Sequence, residues 1–313
     1  MSAREPIVSI GVPVYNGEDY LAAALDSILS QSFQAFELII CDNASTDATE
    51  AICREFANKD ARVRYHRQPH NLGAAPNYND VYHRSRGKYF KWCAHDDLLE
   101  PTFVERCVEA LETRPECPVA YTMFSRIDAT NDVIEEGASH PALSAGAPQV
   151  RADVAIRPYK EGGASDSPIF GVIRRAALDR TRLHGSYTGS DRTLVLELAL
   201  QGPFYEVPER LFLNREHPSR SIRISEHTDE VGHVREAWFD SERAGRIVFP
   251  NWRRLGEFVT AILQSPPAPA DKARCLGVVA RQVAGGSWKR LAYDVLVAVR
   301  MWFSRRRRPS GAA

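Results

Sequence analysis

Short β-rich runs alternate with longer amphipathic stretches over the first 125 residues, and this alternation constrains the fold of the chain most strongly. Behind the first apolar run, Leu21, Leu25 and Ile28 recur at helical spacing. Alternating strands and helices predict an α/β fold with a mostly parallel sheet and helices on both faces. The predicted strands are 8–14, 36–41, 63–67, 89–93 and 119–124, and the predicted helices are 19–32, 46–58, 76–84 and 101–113.

The pattern becomes less regular after residue 125. Residues 138–168 are rich in Ala, Gly, Ser and Pro and show little periodicity, which predicts a long loop or lid. We expect ordered elements to return after it as a mixed second half. The predicted elements are strands at 169–173, 204–207 and 211–214 and helices at 190–201, 230–243 and 252–263, before a basic, helical C-terminal segment.

The charge balance argues against a general nucleic-acid binder. The 313 residues carry 40 Lys and Arg against 40 Asp and Glu, so no net field attracts a polyanion. The length suggests two domains, or one large α/β unit with an appendage. The charge is unevenly distributed, however, because residues 272–308 contain ten Lys or Arg and a single acid, Asp294.

The cysteines and the N-terminus predict a cytoplasmic location. The six cysteines form no C-x-x-C pair and no His-rich zinc spacing, so we expect reduced thiols. The first residues lack the apolar core of a signal peptide, and no run approaches 18 uninterrupted apolar residues. We therefore expect neither export nor a membrane-spanning helix.

Polar turns follow four of the predicted strands. They cover residues 14–18, 41–47, 71–73 and 94–97. In an open parallel sheet, ligands bind outside the carboxyl ends of the strands, so we expect these turns to form one site. None of them contains a G-x-G-x-x-G or G-x-x-x-x-G-K-[ST] loop, which argues against a Rossmann dehydrogenase and a P-loop NTPase.

Asp96 and Asp97 follow the fourth strand and are candidates for a metal site. Aspartate oxygens suit Mg²⁺ or Mn²⁺, and such a metal neutralises a leaving diphosphate without a Gly-rich loop. The alternative is structural, because an Asp pair before Pro101 and an apolar helix also serves as a turn or cap.

Together the four motifs resemble those of the family 2 glycosyltransferases, in the same order and spacing. They are V-S-I-G-V-P-V-Y-N-G at 8–17, C-D-N-A-S-T-D at 41–47, Asn71 and Gly73 followed by Asn79, and the pair Asp96 and Asp97. The resemblance implies a GT-A type fold and inverting transfer of a sugar from a nucleoside diphosphate donor, guessed as UDP or dTDP, to a hydroxyl. It further implies a saccharide or lipid-linked acceptor and a role in cell-surface polysaccharide or glycolipid synthesis.

Two other functions stay open. A nucleotidylyltransferase uses a similar nucleotide-binding sheet, although residues 15–18 lack the Gly-rich, Lys- or Arg-bearing phosphate loop that it needs. The second is a non-catalytic nucleotide-sugar-binding protein. The family's metal motif is usually Asp-x-Asp, and its first carboxylate falls here on Ala94.

The resemblance assigns the donor to the turns after the first strands. It implies that Pro13, Tyr15 and Glu18 line the base and ribose. Asp42 would accept a hydrogen bond from the base, and Asn79 would lie near the ribose or diphosphate. The residues themselves leave two alternatives open, namely Tyr15 as a packing residue and Asp42 as part of a turn before the next helix.

The resemblance also implies a divalent metal, Mn²⁺ or Mg²⁺, that binds the donor diphosphate and is held by Asp96. Asp97 supports Asp96 or caps the next helix. His217 lies in an Arg-x-His stretch like the one that closes over the diphosphate in relatives, and it is either a metal ligand or a loop residue.

Inverting transfer needs a base that takes the proton of the acceptor hydroxyl. Asp191, in the motif G-S-D-R at 189–192, resembles the acidic motif at the start of a helix in the family's acceptor half and is the predicted base. The alternative is that Ser190 or Asp191 caps this helix. Asp166 and Glu161 are next in line as the base.

The C-terminal segment predicts an amphipathic helix with a basic end. An apolar stripe recurs at steps of three and four, and Arg305 to Arg308 follow it. Such a helix binds an anionic membrane surface or packs on the protein's own core. The stripe comprises Trp288, Leu291, Val295, Val299 and Trp302.

These patterns predict three parts. Residues 1–125 would form a nucleotide-sugar-binding α/β half, residues 126–263 an acceptor-binding half with the catalytic base, and residues 264–313 a basic amphipathic helical tail. We expect the protein to be cytoplasmic or peripheral on the cytoplasmic face of a membrane.

Overall fold

A computed structural model describes residues 5–137, 139, 141–157, 167–218, 239 and 246–307. The described residues form one mixed sheet of nine strands with helices on both faces. The strands are β1 (Val8–Val14), β2 (Phe36–Asp42), β3 (Val63–Arg67), β4 (Tyr89–Trp92), β5 (Leu98–Leu99), β6 (Val119–Ile127), β7 (Val133–Glu136), β8 (Val172–Arg174) and β9 (Tyr205–Arg215). The helices are α1 (Leu21–Leu29), α2 (Thr49–Lys59), α3 (Ala74–His83), α4 (Phe103–Thr113), α5 (Pro148–Ile156), α6 (Arg175–Leu178), α7 (Ser190–Ala199), α8 (Pro250–Gln264), α9 (Pro269–Gln282) and α10 (Trp288–Arg307).

The predicted mostly parallel sheet is confirmed. Four parallel strands lie in the order β3-β2-β1-β4, with Val8 of β1 paired to Phe36 on one side and Tyr89 on the other. Strand β8 then pairs antiparallel to both β4 and β6, and β9 joins β6 in parallel. Strand β5 pairs antiparallel to β9, and β7 pairs antiparallel to β6. The carboxyl ends of β1, β2, β4, β6 and β9 therefore face the same edge of the sheet.

Two apolar layers cover the sheet. Leu38 and Ile40 of β2 belong to one layer, while Ile39 and Cys41 belong to the other, because side chains alternate along a strand. Helix α1 buries Leu21, Leu25 and Ile28 in the first layer, as their helical spacing predicts. Helices α3, α5 and α7 contribute to the second layer.

Residues 138–168, which were expected to form a long loop, contain helical structure that the sequence pattern does not indicate. A 3₁₀ turn covers Pro141–Ser144, and helix α5 covers Pro148–Ile156. Helix α5 packs against α7 and α9, so Arg151, Ala152, Val154, Ala155 and Ile156 are all buried. A helix that is buried around most of its circumference shows little amphipathic periodicity, which explains the wrong prediction for this segment.

The two short strands predicted around Pro208 form one longer strand, β9. Its pairing with β6 shifts register between Val207 and Arg210, which oppose the adjacent residues Thr122 and Met123. Pro208 lies inside this irregularity, where its missing amide hydrogen costs no ladder hydrogen bond. The strand therefore continues past Pro208 to Arg215, beside the polar turns.

The C-terminal helices form as predicted. They pack more closely on the core than a separate helical tail would. Cys275, Val278 and Val279 of α9 are buried in the same layer as α7. A π turn at Val283–Ser287, with Gly286 at φ 134°, separates α9 from α10. Among the described residues, no helix has both the length and the apolar character needed to cross a bilayer.

Three further sequence predictions concern the cysteines, the helix at 230–243 and the division of the chain into parts. All six cysteines are buried and unpaired. The helix predicted at 230–243 lies outside the described residues, apart from residue 239. The division into parts at 1–125, 126–263 and 264–313 stays a prediction.

Candidate functional site

The polar turns predicted from the sequence meet at the carboxyl edge of the sheet. Asn43, just past β2, links the second and third motifs, because its Nδ2 donates to Asn71 Oδ1 at 2.9 Å and to the Gly73 carbonyl at 3.1 Å. The Leu72 amide returns a hydrogen bond to Asn43 Oδ1 at 2.9 Å. Gly73 begins α3 with φ 88°, a conformation that favours glycine.

The first and second turns are bonded to each other. The Asn16 amide donates to Ser45 Oγ at 2.9 Å, and Asn16 Oδ1 accepts from the Thr46 amide at 2.9 Å. Glu18 Oε2 accepts from the Ala48 amide at 2.9 Å, at the start of α2. Glu18 thus stabilises a helix N-terminus in this structure, a role that the sequence prediction did not include.

Tyr15 and Pro13 differ in exposure. Pro13 is buried within β1, whereas the Tyr15 ring is 43% exposed at the end of that strand. Gly17 follows, and a Cβ at this position would lie 2.7 Å from His95 Cδ2, so glycine lets the fourth turn approach the first. An exposed ring at this edge is available for stacking on a ligand.

Asp42 is fully buried and strongly bonded. Its Oδ1 accepts from the Ser45 amide at 2.8 Å. This hydrogen bond forms the turn before α2 that the sequence left open as an alternative role for Asp42. Its Oδ2 accepts from the Tyr65 hydroxyl at 2.9 Å and from Arg67 Nη1 at 2.6 Å. The contact to a base stays a prediction, and it would have to be added to these three hydrogen bonds.

Asp47 accepts two hydrogen bonds from backbone amides. Its Oδ1 accepts from the Thr49 amide at 3.0 Å, and its Oδ2 accepts from the Glu18 amide at 3.1 Å. Burial alone would raise the pKa of Asp47, but these hydrogen bonds hold it below its ordinary value. Asp47 therefore joins the first two turns as an ionised carboxylate.

Asn79 joins α3 to the loop before α7. Its Nδ2 donates to the His184 carbonyl at 2.8 Å, and its Oδ1 accepts from the His184 amide at 3.0 Å. Asn79 therefore fixes the backbone of His184, while its predicted place near the ribose or diphosphate stays a prediction.

Asp96 and His217 form the centre of the site. Asp96 Oδ2 lies 2.9 Å from His217 Nε2, and both side chains are largely buried. The Tyr20 ring packs on His217 with 4.7 Å between ring centroids. Burial alone would raise the pKa of Asp96, but the hydrogen bond from His217 and the charge of His95 hold it below its ordinary value. Asp96 is therefore an ionised carboxylate.

Asp97 supports this turn from below. Its Oδ1 accepts from the Arg215 amide at 2.8 Å and from Asn214 Nδ2 at 3.1 Å, so it ties the fourth turn to the end of β9. Helix α4 begins only at Phe103, so the alternative that Asp97 caps the next helix is wrong. A supporting position beside Asp96 agrees with these contacts.

Arg215 is buried and holds the backbone around Asp96. Its Nε donates to the Asp96 carbonyl at 2.8 Å, and its Nη1 donates to the Asp128 carbonyl at 2.9 Å. Its Nη2 donates to Asn131 Oδ1 at 2.6 Å, and the guanidinium lies 4.8 Å from the centroid of the Tyr20 ring. One side chain thus joins the carboxyl ends of β4, β6 and β9.

Substitution of Arg215 by Met should destabilise the fold. The change removes the donors of a buried guanidinium from the carbonyls of Asp96 and Asp128, and we expect a loss of roughly 2–4 kcal/mol in the free energy of unfolding. Arg54→Met is the matched control, since Arg54 pairs with Glu50 on the surface and its loss should change the stability much less. Urea denaturation of both variants checks the difference, and equal effects would contradict the structural role.

Asp191 lies in the first turn of α7. The helix is preceded by Gly189 at φ 83°, and no side chain caps its N-terminus. The alternative that Ser190 or Asp191 caps the helix is therefore wrong. Among the described residues, no hydrogen-bond partner of the Asp191 carboxylate is found, so the carboxylate is available to a ligand. Asp166 and Glu161, the next candidates for a base, lie outside the described residues.

Tyr78 lies near the acidic residues of the site. Burial raises the pKa of its hydroxyl, and the negative charges of Asp96, Asp97 and Asp191 raise it further. The three carboxylates therefore lie within electrostatic range of one hydroxyl. Behind it, Trp92 is buried and donates through Nε1 to the Tyr78 carbonyl at 2.8 Å.

His184 is a buried imidazole beneath this group. It packs edge-on against Tyr78 and Trp92, with centroid distances of 5.1 Å and 4.9 Å, and its Nε2 has no hydrogen-bond partner. Burial lowers the pKa of His184 to about 4, although the charge of Asp191 opposes the shift. His184 is therefore neutral at pH 7.

The pKa of His184 predicts a specific pH dependence of stability. The unfolded chain takes up a proton below about pH 6.5, whereas the folded chain resists until about pH 4, so stability is lost as pH falls between these values. At about pH 4.5 the loss should be roughly 2–3 kcal/mol. His184→Phe should remove this part of the pH dependence. Denaturation curves near pH 7 and at about pH 4.5 check it, and parallel losses in both proteins would contradict it.

The donor set at Asp96 and His217 fits a divalent cation. A carboxylate oxygen beside an imidazole nitrogen suits Mn²⁺ better than Mg²⁺, which prefers oxygen ligands alone. His217 Nδ1 is buried without a hydrogen-bond partner, so the ring has coordinating capacity that the described protein atoms do not use. No group of three candidate ligands occurs among the described residues. Ligand oxygens would therefore have to complete the coordination.

Four residues of the site were not predicted from the sequence: Tyr20, Tyr78, His184 and Arg215. For Arg215, the unpredicted feature is that it is buried and holds the backbone around Asp96. Tyr78 sits one residue before the assigned Asn79, and Arg215 lies in the recognised Arg-x-His stretch. Their positions in these motifs were the available signal. No pattern pointed to His184, which reaches the site from a loop.

Comparison with known proteins finds glycosyltransferases. The sequence model of glycosyl transferase family 2 matches residues 9–179. An uncharacterised glycosyltransferase of Rickettsia bellii is 40% identical over 114 residues, which are 36% of this chain and 16% of that protein. Over 141 residues, 45% of this chain, identity is 34% with chondroitin synthase of Escherichia coli and 31% with hyaluronan synthase of Pasteurella multocida. The match covers 20% and 14% of those proteins, so the chain spans a fifth or less of these relatives.

Solved structures extend the likeness over nearly the whole chain. TarS 1-349 of S. aureus in complex with UDP-GlcNAc superimposes with a TM-score of 0.58 at 16% identity, covering 96% of this chain and 91% of that one. The mannosyltransferase PcManGT of Pyrobaculum calidifontis, in complex with GDP-Man and Mn²⁺, gives a TM-score of 0.54 at 16% identity and covers 99% and 77%. At such identities the likeness shows the fold, which is the GT-A fold. Because the family model matches more than half of the sequence, the chain belongs to glycosyl transferase family 2.

Proposed function

We propose that this glycosyltransferase moves a sugar from a nucleoside diphosphate donor to a hydroxyl acceptor with inversion at the anomeric carbon. The observation that carries the proposal is the arrangement around Tyr78. Asp96, which contacts His217, and Asp191 both lie within electrostatic range of its hydroxyl, and no hydrogen-bond partner of the Asp191 carboxylate is found among the described residues. Inverting transfer needs both a group that holds the leaving diphosphate and a base for the acceptor hydroxyl.

The nucleoside binds at the first two turns in this proposal. Tyr15 is exposed and able to stack on the base, Glu18 belongs to the same turn, and Pro13 lies just before this turn in β1. Asp42 recognises the base from the second turn, and Asn79 lies towards the ribose or diphosphate. TarS and PcManGT, with UDP-GlcNAc and GDP-Man bound, support a nucleotide sugar as the donor. We propose UDP or dTDP as the nucleoside diphosphate of this donor.

Asp96 and His217 hold the divalent metal, Mn²⁺ or Mg²⁺, in this proposal, and Asp97 keeps Asp96 in place through β9. When bound, the metal supplies positive charge to the diphosphate. Arg215 fixes the Asp96 backbone, so the pair is rigid before the donor arrives. Mn²⁺ in the PcManGT structure supports a metal in this fold.

Asp191 acts as the general base. As the acceptor oxygen bonds to the anomeric carbon, its proton passes to the Asp191 carboxylate. The bond between that carbon and the diphosphate oxygen breaks, and its electron pair leaves with the nucleoside diphosphate.

The acceptor is proposed to be a saccharide or a lipid-linked saccharide in cell-surface polysaccharide or glycolipid synthesis. Matches to chondroitin and hyaluronan synthases support this class. In this proposal residues 1–125 bind the donor, residues 126–263 bind the acceptor, and the enzyme works in the cytoplasm, peripheral to a membrane.

A binding panel tests the proposed donor site. Each nucleoside diphosphate is added to the full chain with Mn²⁺ or Mg²⁺, and the melting temperature is recorded, because a ligand that binds the folded state raises it. We expect one base to stabilise the protein in the presence of metal. If no nucleoside diphosphate shifts the transition under any condition, the proposed donor site is wrong. Binding of the nucleotide sugar without turnover would favour a non-catalytic binding protein.

A further inference from the structure

The C-terminal helix α10 leaves one apolar face uncovered. Its other face packs on the protein, where Leu291, Asp294 and Ala298 are buried. The uncovered side chains are each 42–54% exposed, and apolar patches of this extent on a monomer mark interaction sites. They are Trp288, Val295, Leu296, Val299, Trp302 and Phe303. We call this set the outer face of α10.

The outer face includes most of the stripe predicted from the sequence. Only Leu291 of that stripe turns to the core. With 3.6 residues per turn, Lys289 and Arg300 lie next to Leu296 at the edge of the outer face that points away from the core. Trp252 of α8 donates through Nε1 to the Leu291 carbonyl at 3.0 Å, so a further half-exposed indole lies beside α10.

The sequence of this helix is rich in basic residues and contains a single acid. Asp294 is the only acid between Trp288 and Arg308, and it is 3% exposed. Its carboxylate accepts from the Asn251 amide at 2.8 Å and from Asn251 Nδ2 at 2.7 Å. The carboxylate therefore faces α8 and is not directed to the exposed face of α10. Lys289, Arg290 and Arg300 belong to α10, and the sequence continues to Arg305 through Arg308. The sequence of this segment therefore combines an apolar face with a net positive charge.

We propose that the outer face of α10 binds the surface of an anionic lipid bilayer. Tryptophan, phenylalanine and valine side chains enter the boundary between headgroups and acyl chains, while the lysine and arginines meet lipid phosphates. A second copy of the chain fits less well, because it would place two basic helices together without an acid between them. The inference deepens the proposed function by placing a lipid-linked acceptor beside the enzyme.

The structure also defines which part of the C-terminus takes part. Helix α9 is built into the core through Cys275, Val278 and Val279, so it does not lie on the membrane. Removal of everything after residue 270 would damage the core and would not test the surface. Point substitutions on the outer face of α10 leave these contacts intact.

Vesicle co-sedimentation of the full chain tests the proposal. We expect the wild type to bind phosphatidylcholine vesicles that contain about one third phosphatidylglycerol, and to bind pure phosphatidylcholine much less. The double substitution Val299→Ser with Trp302→Ser should lower the partition coefficient at least about tenfold. The double substitution Val133→Ser with Ile134→Ser is the matched control, because these β7 side chains are more than half exposed and lie outside α10.

Three outcomes would overturn the inference: no binding of the wild type to anionic vesicles, equal losses in the α10 and β7 variants, or a lipid-free dimer that the α10 variant abolishes. Light scattering of the lipid-free protein detects the dimer. Donor turnover is measured separately without vesicles, so a failure of the proposed function remains distinguishable. Vesicle binding by a protein that turns over no donor would contradict the proposed function and support the surface.

Discussion

Substitution of Asp191 by Asn should lower sugar transfer by on the order of 10²-fold or more while donor affinity stays almost unchanged. A general base acts only as the new bond forms, so its loss affects the transition state and not the bound donor. Asn has nearly the same shape as Asp, and Asp191 makes no cap whose loss would unfold α7. A transfer assay beside a calorimetric titration of the donor measures the two effects.

Asp271→Asn is the control for this prediction. Asp271 is a partly exposed carboxylate on α9 that pairs with Arg274, and its substitution should leave transfer close to wild type. If Asp191→Asn also retains near wild-type transfer, Asp191 is not the base. Asp166 and Glu161 would then be tested in the same way.

Substitution of Asp96 by Ala should impair donor binding and turnover together. Asp96 is proposed to hold the metal against the diphosphate both in the bound donor and as the leaving group departs. We therefore expect donor affinity to fall at least about tenfold and turnover by on the order of 10²-fold. Calorimetry with and without Mn²⁺ separates this effect from that of Asp191→Asn.

His217→Gln should change both quantities in the same direction, since His217 contacts Asp96 at 2.9 Å. Circular dichroism of each variant shows whether the fold is intact. Unchanged, metal-dependent donor affinity in folded Asp96→Ala would show that the metal is held elsewhere, and the assignment of Asp96 would be wrong.

The first half of the fold could be predicted because its signals are local. Apolar runs such as 8–14 and 36–41 are buried on both faces of a parallel sheet, and they keep this pattern whatever surrounds them. The site's place followed from topology, since ligands lie at the carboxyl ends of parallel strands. The turns at 14–18 and 94–97 therefore meet although they are far apart in sequence.

The second half depends on contacts that no local pattern records. Helix α5 is buried on most sides, so its sequence lacks the amphipathic period that identifies a surface helix. Arginine is usually a surface residue. Arg215 is buried because two distant loops supply carbonyls that accept hydrogen bonds from its guanidinium. His184 likewise becomes part of the site through Asn79, 105 positions away in the sequence.

In the proposed function, the site formed by Asp96, His217 and Asp191 takes a nucleotide sugar and breaks its bond to the diphosphate. Release of free nucleoside diphosphate is measured with the full chain and a panel of UDP- and dTDP-sugars, with saccharide acceptors and Mn²⁺ or Mg²⁺. We expect release from at least one donor, loss of release when the metal is chelated, and strongly reduced release in Asp96→Ala. Release that is equal in the wild type and in Asp96→Ala, with or without metal, would contradict it.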